Sequence, residues 1–322
     1  MSSNQTIRAE HRNVRPGTLL ADVPRGAAKT ADVQLSVVIV SYNCLPLLQT
    51  CLASLAHEAG PPRFETIVVD NGSLDSTPGW LRENCPHVHV IRNGSNLGFA
   101  KGCNQGIGAA LGQYVLLLNP DTVASAGALR RTFEYMEANP RLAAASCKVL
   151  RPDGELDPSC KRGFPSAWDA FCRMTGVSRL LPNSRLFARY DGGYMDENTR
   201  QEVPLIDGCF MMIRQRALED IGPFDERFFM YAEEMDWCRR ARLKGWSIGY
   251  EPSGRIIHAK GEVTRHSTFR MLYHFHRSMA LYYQKYHSPW NPLGLLVYPG
   301  VVLRFVLLVL WNLFRKNRRV SG

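Results

Sequence analysis

The sequence lacks a Cys-x-x-Cys pair, although it contains nine cysteines, an odd number. Pairs at that spacing would indicate a structural zinc site, and an even set would indicate a disulfide framework. The N-terminal residues are polar and charged, without the apolar core of a secretory signal peptide. We therefore expect reduced thiols that serve as small apolar side chains, no zinc, and a reducing compartment.

Acidic residues are missing from the C-terminal end, where residues 293–322 carry five basic groups and no acid. Residues 1–33 contribute +2, so the two ends hold seven of the ten net positive charges and the middle is nearly neutral. A nearly neutral body argues against a nucleic-acid groove. The basic C-terminus predicts contact with an anionic surface, for which phospholipid is the best candidate.

Residues 1–33 have no hydrophobic periodicity, which is typical of a disordered N-terminal tail. Apolar runs with strand character then alternate with helical patterns, one helix opening at Pro46 and another running through Trp80. A βαβαβ alternation predicts an α/β fold with a parallel, doubly wound sheet flanked by helices. The expected strands are residues 35–40, 64–69, 88–91 and 114–118.

A wholly apolar run at residues 114–118 leads into Asn119, Pro120 and Asp121. Ligands of open α/β sheets bind beyond the carboxyl ends of the strands. A carboxylate there suits a hard divalent cation, Mg²⁺ or Mn²⁺, whose other ligands would be phosphate oxygens. The alternative is a turn aspartate that caps the following helix.

Two further strands end in polar residues, the first in Ser41, Tyr42 and Asn43 and the second in Asp70 and Asn71. Parallel strands would bring Ser41, Asp70 and Asp121 to one rim.

Between the third and fourth strands, glycines at 98, 102 and 106 leave a bare helix stripe that permits close approach of a ligand or a backbone. If the stripe faces a ligand, Asn96 and Lys101 would donate hydrogen bonds to a nucleotide. If it faces a backbone, the helix packs closely on the sheet.

Residues 151–205 form a long segment with weak periodicity and more Pro, Gly, Arg and aromatic residues. Such insertions in compact folds are usually functional or mobile. We interpret this one as the acceptor-binding part and expect no catalytic residue in it.

The segment at 228–240 is first acidic and then has a helical pattern. If it is helical throughout, Tyr231, Met235 and Cys238 share one face with Glu234 at its edge, while Glu233, Asp236 and Arg240 lie opposite. A carboxylate at the margin of a buried face, next to a like charge, has the raised pKa that a general base needs. The alternative is a solvated helix start whose acidic side chains are stabilised by the helix dipole.

The chain ends with two expected strands, Trp246 to Tyr250 and 255–257, and then a helical region. His258 follows the second strand and is structural unless it converges on Asp121. Residues 293–314 are almost all apolar but are interrupted by Pro299 and Arg304. A charged residue at the centre of a span costs about 2.5–3.5 kcal/mol, so we favour a helix lying in the membrane surface.

Taken together, these motifs resemble the family 2 glycosyltransferases of the GT-A fold, a Rossmann-like, mostly parallel mixed sheet flanked by helices. The resemblance covers residues 34–290, and no single motif would establish it. Two segments, 161–166 and 273–278, are similar to the rhamnosyltransferase branch, which transfers a deoxysugar from a dTDP donor to a polyprenyl-diphosphate-linked sugar. The matching motifs are 37–43, 69–73 with Asp75 and Thr77, 96–106, 118–121, Asp207-Gly208, 224–236 and His258.

The resemblance implies a role for each matching residue. Glu234 is the general base of an inverting reaction without a covalent intermediate, although the choice between Glu233 and Glu234 stays open. Asp121 and His258 hold Mg²⁺ or Mn²⁺, which neutralises charge on the departing diphosphate. The nucleotide-sugar set is Ser41, Tyr42, Asn43, Asp70, Asn71, Asn96, Lys101 and Asn119, and the acceptor set is Arg162, Asp207, Glu233 and Arg277.

The expected organisation is the tail, a GT-A domain at 34–265, and C-terminal membrane-associated helices at 266–322 that dock on the cytoplasmic face of the cell membrane. The expected partners are a nucleotide sugar, a polyprenyl-diphosphate-linked sugar and an anionic membrane, for cell-wall or surface polysaccharide synthesis. The oligomeric state, a homodimer included, is left open.

Two other enzyme classes lack support. A sugar-phosphate nucleotidyltransferase would need an early Gly-rich loop with Arg and Lys, and a processive synthase would need several spans and Gln-x-x-Arg-Trp. A transferase with another donor, such as a UDP-galactofuranosyl enzyme, and a non-catalytic nucleotide-sugar-binding protein remain as alternatives.

Overall fold

The computed structural model describes residues 33–58, 60–260, 268–287 and 294–320. The predicted tail lies almost entirely outside these residues. The N-terminal half alternates strands and helices as expected: β1 (Leu35–Ser41), α1 (Leu45–Leu55), β2 (Phe64–Asp70), α2 (Thr77–Asn84), β3 (His89–Arg92), α3 (Phe99–Ala109), β4 (Tyr114–Leu118), β5 (Thr122–Ala124) and α4 (Ala128–Ala138).

The C-terminal half is less regular. It contains β6 (Leu142–Leu150), α5 (Ala167–Met174), α6 (Val177–Leu180), β7 (Gln201–Glu202), β8 (Phe210–Arg214), α7 (Gln215–Ile221), α8 (Glu233–Leu243), β9 (Ser247–His258), α9 (Thr268–Tyr286) and α10 (Gly294–Val320). The two short strands expected at 246–257 are one strand, because β9 continues through Pro252 and a shift in its register with β6 absorbs the irregularity.

The strands form one mixed sheet in the order β3-β2-β1-β4-β8-β6-β9-β5, with β7 paired to β9. β1, β2, β3 and β4 pair in parallel, as predicted. β8 then lies antiparallel between β4 and β6, so a purely parallel sheet is wrong for the second half. The mixed sheet with packed helices is confirmed.

The glycine stripe of α3 packs on the sheet. A Cβ at Gly102 would lie 2.8 Å from a methyl of Val40, and one at Gly106 would overlap a methyl of Val38. Both glycines are therefore needed for the close approach of α3 to β1. This result favours the packing explanation for positions 102 and 106 over a ligand cradle.

All nine cysteines are buried and unpaired. The prediction that they are small apolar core residues is confirmed.

Helices α9 and α10 pack against each other through aromatic contacts. The His276 ring lies 5.4 Å from that of Phe305, and the Arg304 guanidinium sits 5.5 Å from the centre of the Phe275 ring. Several large apolar side chains on α10 nevertheless face outward, including Val302, Leu303, Val306, Leu307 and Leu310. Within the described parts of the chain, no helix combines the length and apolarity needed to cross a bilayer.

A fully buried carboxylate ties α8 to α9. Asp236 accepts from Arg240 at 2.9 Å, from Lys285 at 2.6 Å and from the Tyr286 hydroxyl at 2.6 Å. The projection placed Asp236 opposite the apolar face, and the alternative made it part of a solvated helix start. Both are wrong for Asp236, because α9 covers it.

We expect Asp236→Asn to lower the free energy of unfolding by about 3 kcal/mol, because it removes the fully buried anion that the half-buried Arg240 and Lys285 share. Lys285 keeps its second ion pair, with Asp225 at 2.8 Å. Chemical denaturation measures the change. Asp220→Asn is the control, since Asp220 pairs with Lys244 on the surface and its loss should have no measurable effect. Equal stability of both variants would contradict the role assigned to Asp236.

Candidate active site

The first two strands place their terminal residues side by side on the predicted rim. Ser41 pairs with Asp70 in the β1–β2 register, and the Asn71 amide donates to the Ser41 carbonyl at 2.8 Å. Asp70 is fully buried, and its Oδ1 accepts from the Ser73 amide at 3.0 Å. Its Oδ2 lies 3.8 Å from Arg92 Nε but has no hydrogen-bond partner among the residues that the structure describes. This oxygen is an acceptor that a base or ribose could satisfy.

The neighbouring asparagines mainly build the loops of the rim. Asn71 Nδ2 donates to Asn96 Oδ1 at 3.2 Å and to the Gly98 carbonyl at 3.0 Å, while its Oδ1 accepts from Asn93 and from the Leu97 amide. Asn43 has a φ of 48° and accepts from the Leu74 amide at 2.7 Å. Direct donor contacts by these side chains stay predictions, because the hydrogen bonds described here are internal. Tyr42 is half-buried and Lys101 is exposed, on α3.

The residue after β4 meets the end of β9. Antiparallel pairing of β5 with β9 sets Thr122 opposite His258, and His258 Nε2 lies 3.2 Å from Asp121 Oδ1. The condition for a functional His258 is therefore met. Burial opposes protonation, but the Asp121 carboxylate raises the pKa of His258. The helix-capping alternative is wrong, because β5 follows Asp121 and the next helix starts at Ala128.

These residues fit a divalent cation. Neighbouring ligands of an octahedral Mg²⁺ at 2.0–2.1 Å lie about 3 Å apart, close to the separation of the Asp121 and His258 donor atoms. Asn119 Oδ1 is buried without a hydrogen-bond partner, and Asn119 Nδ2 is 3.5 Å from His258 Nε2. No group of three His, Cys, Asp or Glu side chains that could hold a metal occurs in the described residues. The protein would thus supply few ligands and leave positions for phosphate oxygens.

The acidic segment differs from the projection. Tyr231 and Ala232 adopt φ of 68° and 69°, and the helix α8 begins only at Glu233. Tyr231 therefore cannot share a helical face with Met235. Glu233 and Glu234 are both buried, so a solvated helix start is also wrong.

The two glutamates have different partners. Glu234 Oε1 accepts from Arg162 Nη2 at 2.6 Å, whereas Glu233 Oε2 is buried without a hydrogen-bond partner. Burial, and then the neighbouring Glu234, raise the pKa of Glu233 well above its usual range. Burial also raises the pKa of Glu234, but Arg162 opposes that shift. The hydrogen bond from the Arg162 guanidinium favours the charged form of Glu234, which makes Glu234 the better candidate for a base.

Arg162 organises the surroundings of Glu234 from inside the 151–205 segment. Its Nη1 donates to the Tyr190 hydroxyl at 2.9 Å. Asp207 accepts from the Cys209 amide at 3.0 Å, and despite burial its pKa is lowered to about 2 by Arg162, Lys260 and His258. The segment predicted to bind the acceptor thus contributes a direct partner of the candidate base.

One loop connects the candidate base Glu234 with Asp121 and His258, the two candidate cation ligands. The Asn119 amide donates to the Cys209 carbonyl at 3.0 Å, and a Cβ at Gly208 would lie 3.7 Å from Glu234 Cβ. Asp207, Gly208 and Cys209 therefore stand between the two halves of the site.

Tyr190 and Lys260, which lie beside the candidate site, were not identified from the sequence. Arg277 was identified, but its described hydrogen bond is to a neighbouring loop. Tyr190 lies in an irregular segment without a periodic signal. Lys260 pairs with Asp157 at 3.1 Å. Its position two residues after His258 could have indicated that it lies near the site. Arg277 is exposed on α9, and its Nη1 donates to the Arg227 carbonyl at 2.7 Å. Its described hydrogen bond is with the loop before α8, so an acceptor role stays a prediction.

Comparison with known proteins identifies relatives of this arrangement. Residues 36–222 match the model of glycosyl transferase family 2. An N-acetylglucosaminyl-diphospho-decaprenol L-rhamnosyltransferase of Mycobacterium tuberculosis is 29% identical over 88% of this chain and 96% of its own. The rhamnosyltransferase WbbL of Escherichia coli is 27% identical over 69% of this chain and 82% of its own.

A solved structure shares the fold. GalNAc-T7, crystallised with UDP, GalNAc and Mn²⁺, superposes with a TM-score of 0.52 at 17% identity, covering 70% of this chain and 44% of that one. At this identity the likeness extends to the fold alone.

Proposed function

Because the chain belongs to glycosyl transferase family 2, we propose that it transfers rhamnose from dTDP-rhamnose to a polyprenyl-diphosphate-linked saccharide, with inversion and with a divalent cation. The names of both rhamnosyltransferase relatives support the sugar, and the name of the mycobacterial one also supports the lipid-linked acceptor. The observation that carries the proposal is the buried Glu234 paired with Arg162, one loop away from Asp121 and His258.

The reaction follows from these positions. Glu234 takes the proton of an acceptor hydroxyl while the oxygen of that hydroxyl attacks the anomeric carbon. The bond from this carbon to the nucleotide diphosphate breaks at the same time. Arg162 holds the carboxylate in one orientation. Asp70 Oδ2, buried without a hydrogen-bond partner, accepts from the nucleoside. Inversion needs no protein nucleophile.

Asp121 and His258 would hold the cation, with Asn119 Oδ1 beside them. When bound, Mg²⁺ or Mn²⁺ supplies Lewis-acid stabilisation of charge on the diphosphate leaving group.

A panel of nucleotide sugars mixed with a polyprenyl-diphosphate saccharide tests the donor assignment. We expect transfer from dTDP-rhamnose and little from UDP-hexoses. Transfer only from a UDP sugar would replace the donor, and tight cation-dependent binding of nucleotide sugars without turnover would support a non-catalytic binding protein.

Arg162 provides a pH test. The acid limb of the kcat/KM profile reports the pKa of the essential base, which we assign to Glu234. Removing the positive charge disfavours the carboxylate, so Arg162→Gln should move this limb to higher pH, while Arg162→Lys should move it less. The measurement is the full profile of both variants and the wild type. An unchanged limb in Arg162→Gln would remove Glu234 from the role of base.

We also propose that α10 docks the enzyme on the cytoplasmic face of the cell membrane. Its outward apolar side chains and the basic residues at its C-terminal end, Arg315, Lys316, Arg318 and Arg319, support this placement. Nine unpaired cysteines fit a reducing compartment.

Leu303 and Leu307 are one turn apart, so they lie on the same side of α10. Replacing both with Asp should weaken sedimentation with phosphatidylglycerol vesicles about tenfold or more, because burial of two leucines is lost. Neutral phosphatidylcholine vesicles are the comparison. Unchanged sedimentation would mean that α10 is not the anchor.

A further inference from the structure

The 151–205 segment exposes a cluster of large apolar side chains. We name it the insertion patch, and its members are Trp168, Phe171, Leu180, Leu181 and Leu186. Trp168 stacks on Phe171 at 5.5 Å, and its Nε1 donates to the Leu186 carbonyl at 2.9 Å. Helices α5 and α6 carry three of the five members and contact each other, and Leu181 directly follows α6. Exposed apolar side chains grouped in this way mark interaction sites.

Four exposed arginines lie in the same stretch of chain as the insertion patch. They are Arg173, Arg179, Arg185 and Arg189, and the acids within residues 167–191 are Asp169 and Asp191. Asp169 pairs with Arg189 at 2.9 Å, and Asp191 pairs with Arg173 at 3.5 Å. With four arginines and two acids, this stretch has a net positive charge. Trp, Phe and Leu beside arginines are typical of protein surfaces that lie in the headgroup region of a bilayer.

The insertion patch is directly linked to the candidate base. The Arg173 guanidinium lies 5.1 Å from the centre of the Tyr190 ring, and the Tyr190 hydroxyl accepts from Arg162, the partner of Glu234. A sugar joined to its lipid through a diphosphate stays close to the membrane surface. The side of the enzyme that carries the base must then approach that surface.

We propose that the insertion patch is a second membrane-contact surface, which seats on anionic phospholipid and holds the Glu234 side of the rim against the bilayer. The proposal rests on the proposed function, because it needs a lipid-linked acceptor. It is separate from α10, which provides an anchor but makes no described contact with Arg162 or Glu234.

A second copy of the chain is a less suitable occupant. In a twofold dimer the same surface meets itself, so two surfaces of net positive charge would face each other. Like charges across an interface are unfavourable. An anionic headgroup layer matches both the apolar side chains and the charge.

The test uses the full-length protein with Leu180→Asp/Leu186→Asp. The matched control is Leu243→Asp, because Leu243 is 75% exposed and Leu180 is 79% exposed. We expect the double variant to bind phosphatidylglycerol vesicles about tenfold more weakly, and the control to bind like the wild type. Sedimentation needs no turnover, so this result is independent of whether the donor and acceptor have been assigned correctly.

Transfer to two acceptors completes the test. With the acceptor embedded in vesicles, the double variant should be slower by a similar factor, while a water-soluble short-chain acceptor should be used at the wild-type rate. Unchanged vesicle binding would overturn the proposal. A change from dimer to monomer with unchanged vesicle binding would also overturn it, in favour of a second copy. Equal losses with both acceptors would place the patch in the acceptor site instead.

Trp168 gives a second readout that avoids introduced charge. Brominated phospholipids quench the fluorescence of tryptophans that enter the bilayer, and the chain has six tryptophans. Trp168→Phe should remove part of the quenching seen in the wild type. Quenching of the same size in both proteins would show that the patch stays outside the bilayer, against the proposal.

Discussion

Asp121→Asn should reduce transfer roughly 10³-fold while the protein stays folded. Stabilisation of a leaving group by a catalytic cation contributes several kcal/mol, and each 1.36 kcal/mol is about tenfold in rate. The described ionic partner of the Asp121 side chain is His258. Asparagine keeps the shape of the side chain but lacks the charge that holds a hard cation. Initial rates with and without added Mg²⁺ or Mn²⁺ measure the effect.

Two controls define this result. EDTA should lower the wild-type rate and leave the residual rate of Asp121→Asn unchanged. The variant should stay folded by circular dichroism, since asparagine can still hydrogen-bond to His258 and the carbonyl of residue 121 still accepts from the Ala259 amide. Full activity of Asp121→Asn, or wild-type activity unaffected by EDTA, would remove the cation from the mechanism.

Glu234→Gln should lower kcat by roughly 10²–10⁴, the usual contribution of a positioned base. Donor affinity should barely change, because the base contacts the acceptor hydroxyl rather than the diphosphate. Glutamine keeps the size of the side chain and can still accept from Arg162, so the loss is one of proton transfer. Single-turnover rates and donor titration measure the two quantities separately.

Glu233→Gln is the matched comparison, because Glu233 is adjacent and similarly buried but has no arginine partner within the described part of the chain. Burial and the adjacent Glu234 raise the pKa of Glu233 and so favour its neutral form, which glutamine resembles. We expect a much milder loss. An inactive Glu233→Gln beside a nearly normal Glu234→Gln would move the base by one residue.

The N-terminal half of the fold was predictable because its central strands β1 and β4 are buried on both faces. Almost wholly apolar runs such as 35–40 and 114–118 identify such strands even when their pairing partners are unknown. β8 was not predictable in the same way. Its antiparallel position between β4 and β6 depends on long-range pairing, which local propensity does not record.

The site, like the fold, has parts that the local sequence predicts and parts that depend on distant residues. Strand ends of a parallel sheet meet at one edge, so Ser41, Asp70 and Asp121 could be grouped from sequence. The start of α8 could not be placed, because Tyr231 and Ala232 hold positive φ without glycine, a conformation that is rare for such residues. The burial of Asp236 depends on Lys285 and Tyr286, about fifty positions further along the chain.

The most direct measurement is the anomeric configuration of the product. The wild-type enzyme is given dTDP-rhamnose, a divalent cation and a polyprenyl-diphosphate saccharide, and NMR determines the new linkage. A base at Glu234 and direct displacement predict a rhamnosylated acceptor whose anomeric configuration is opposite to that of the donor. A product with the donor's configuration, or donor hydrolysis without acceptor glycosylation, would contradict this account.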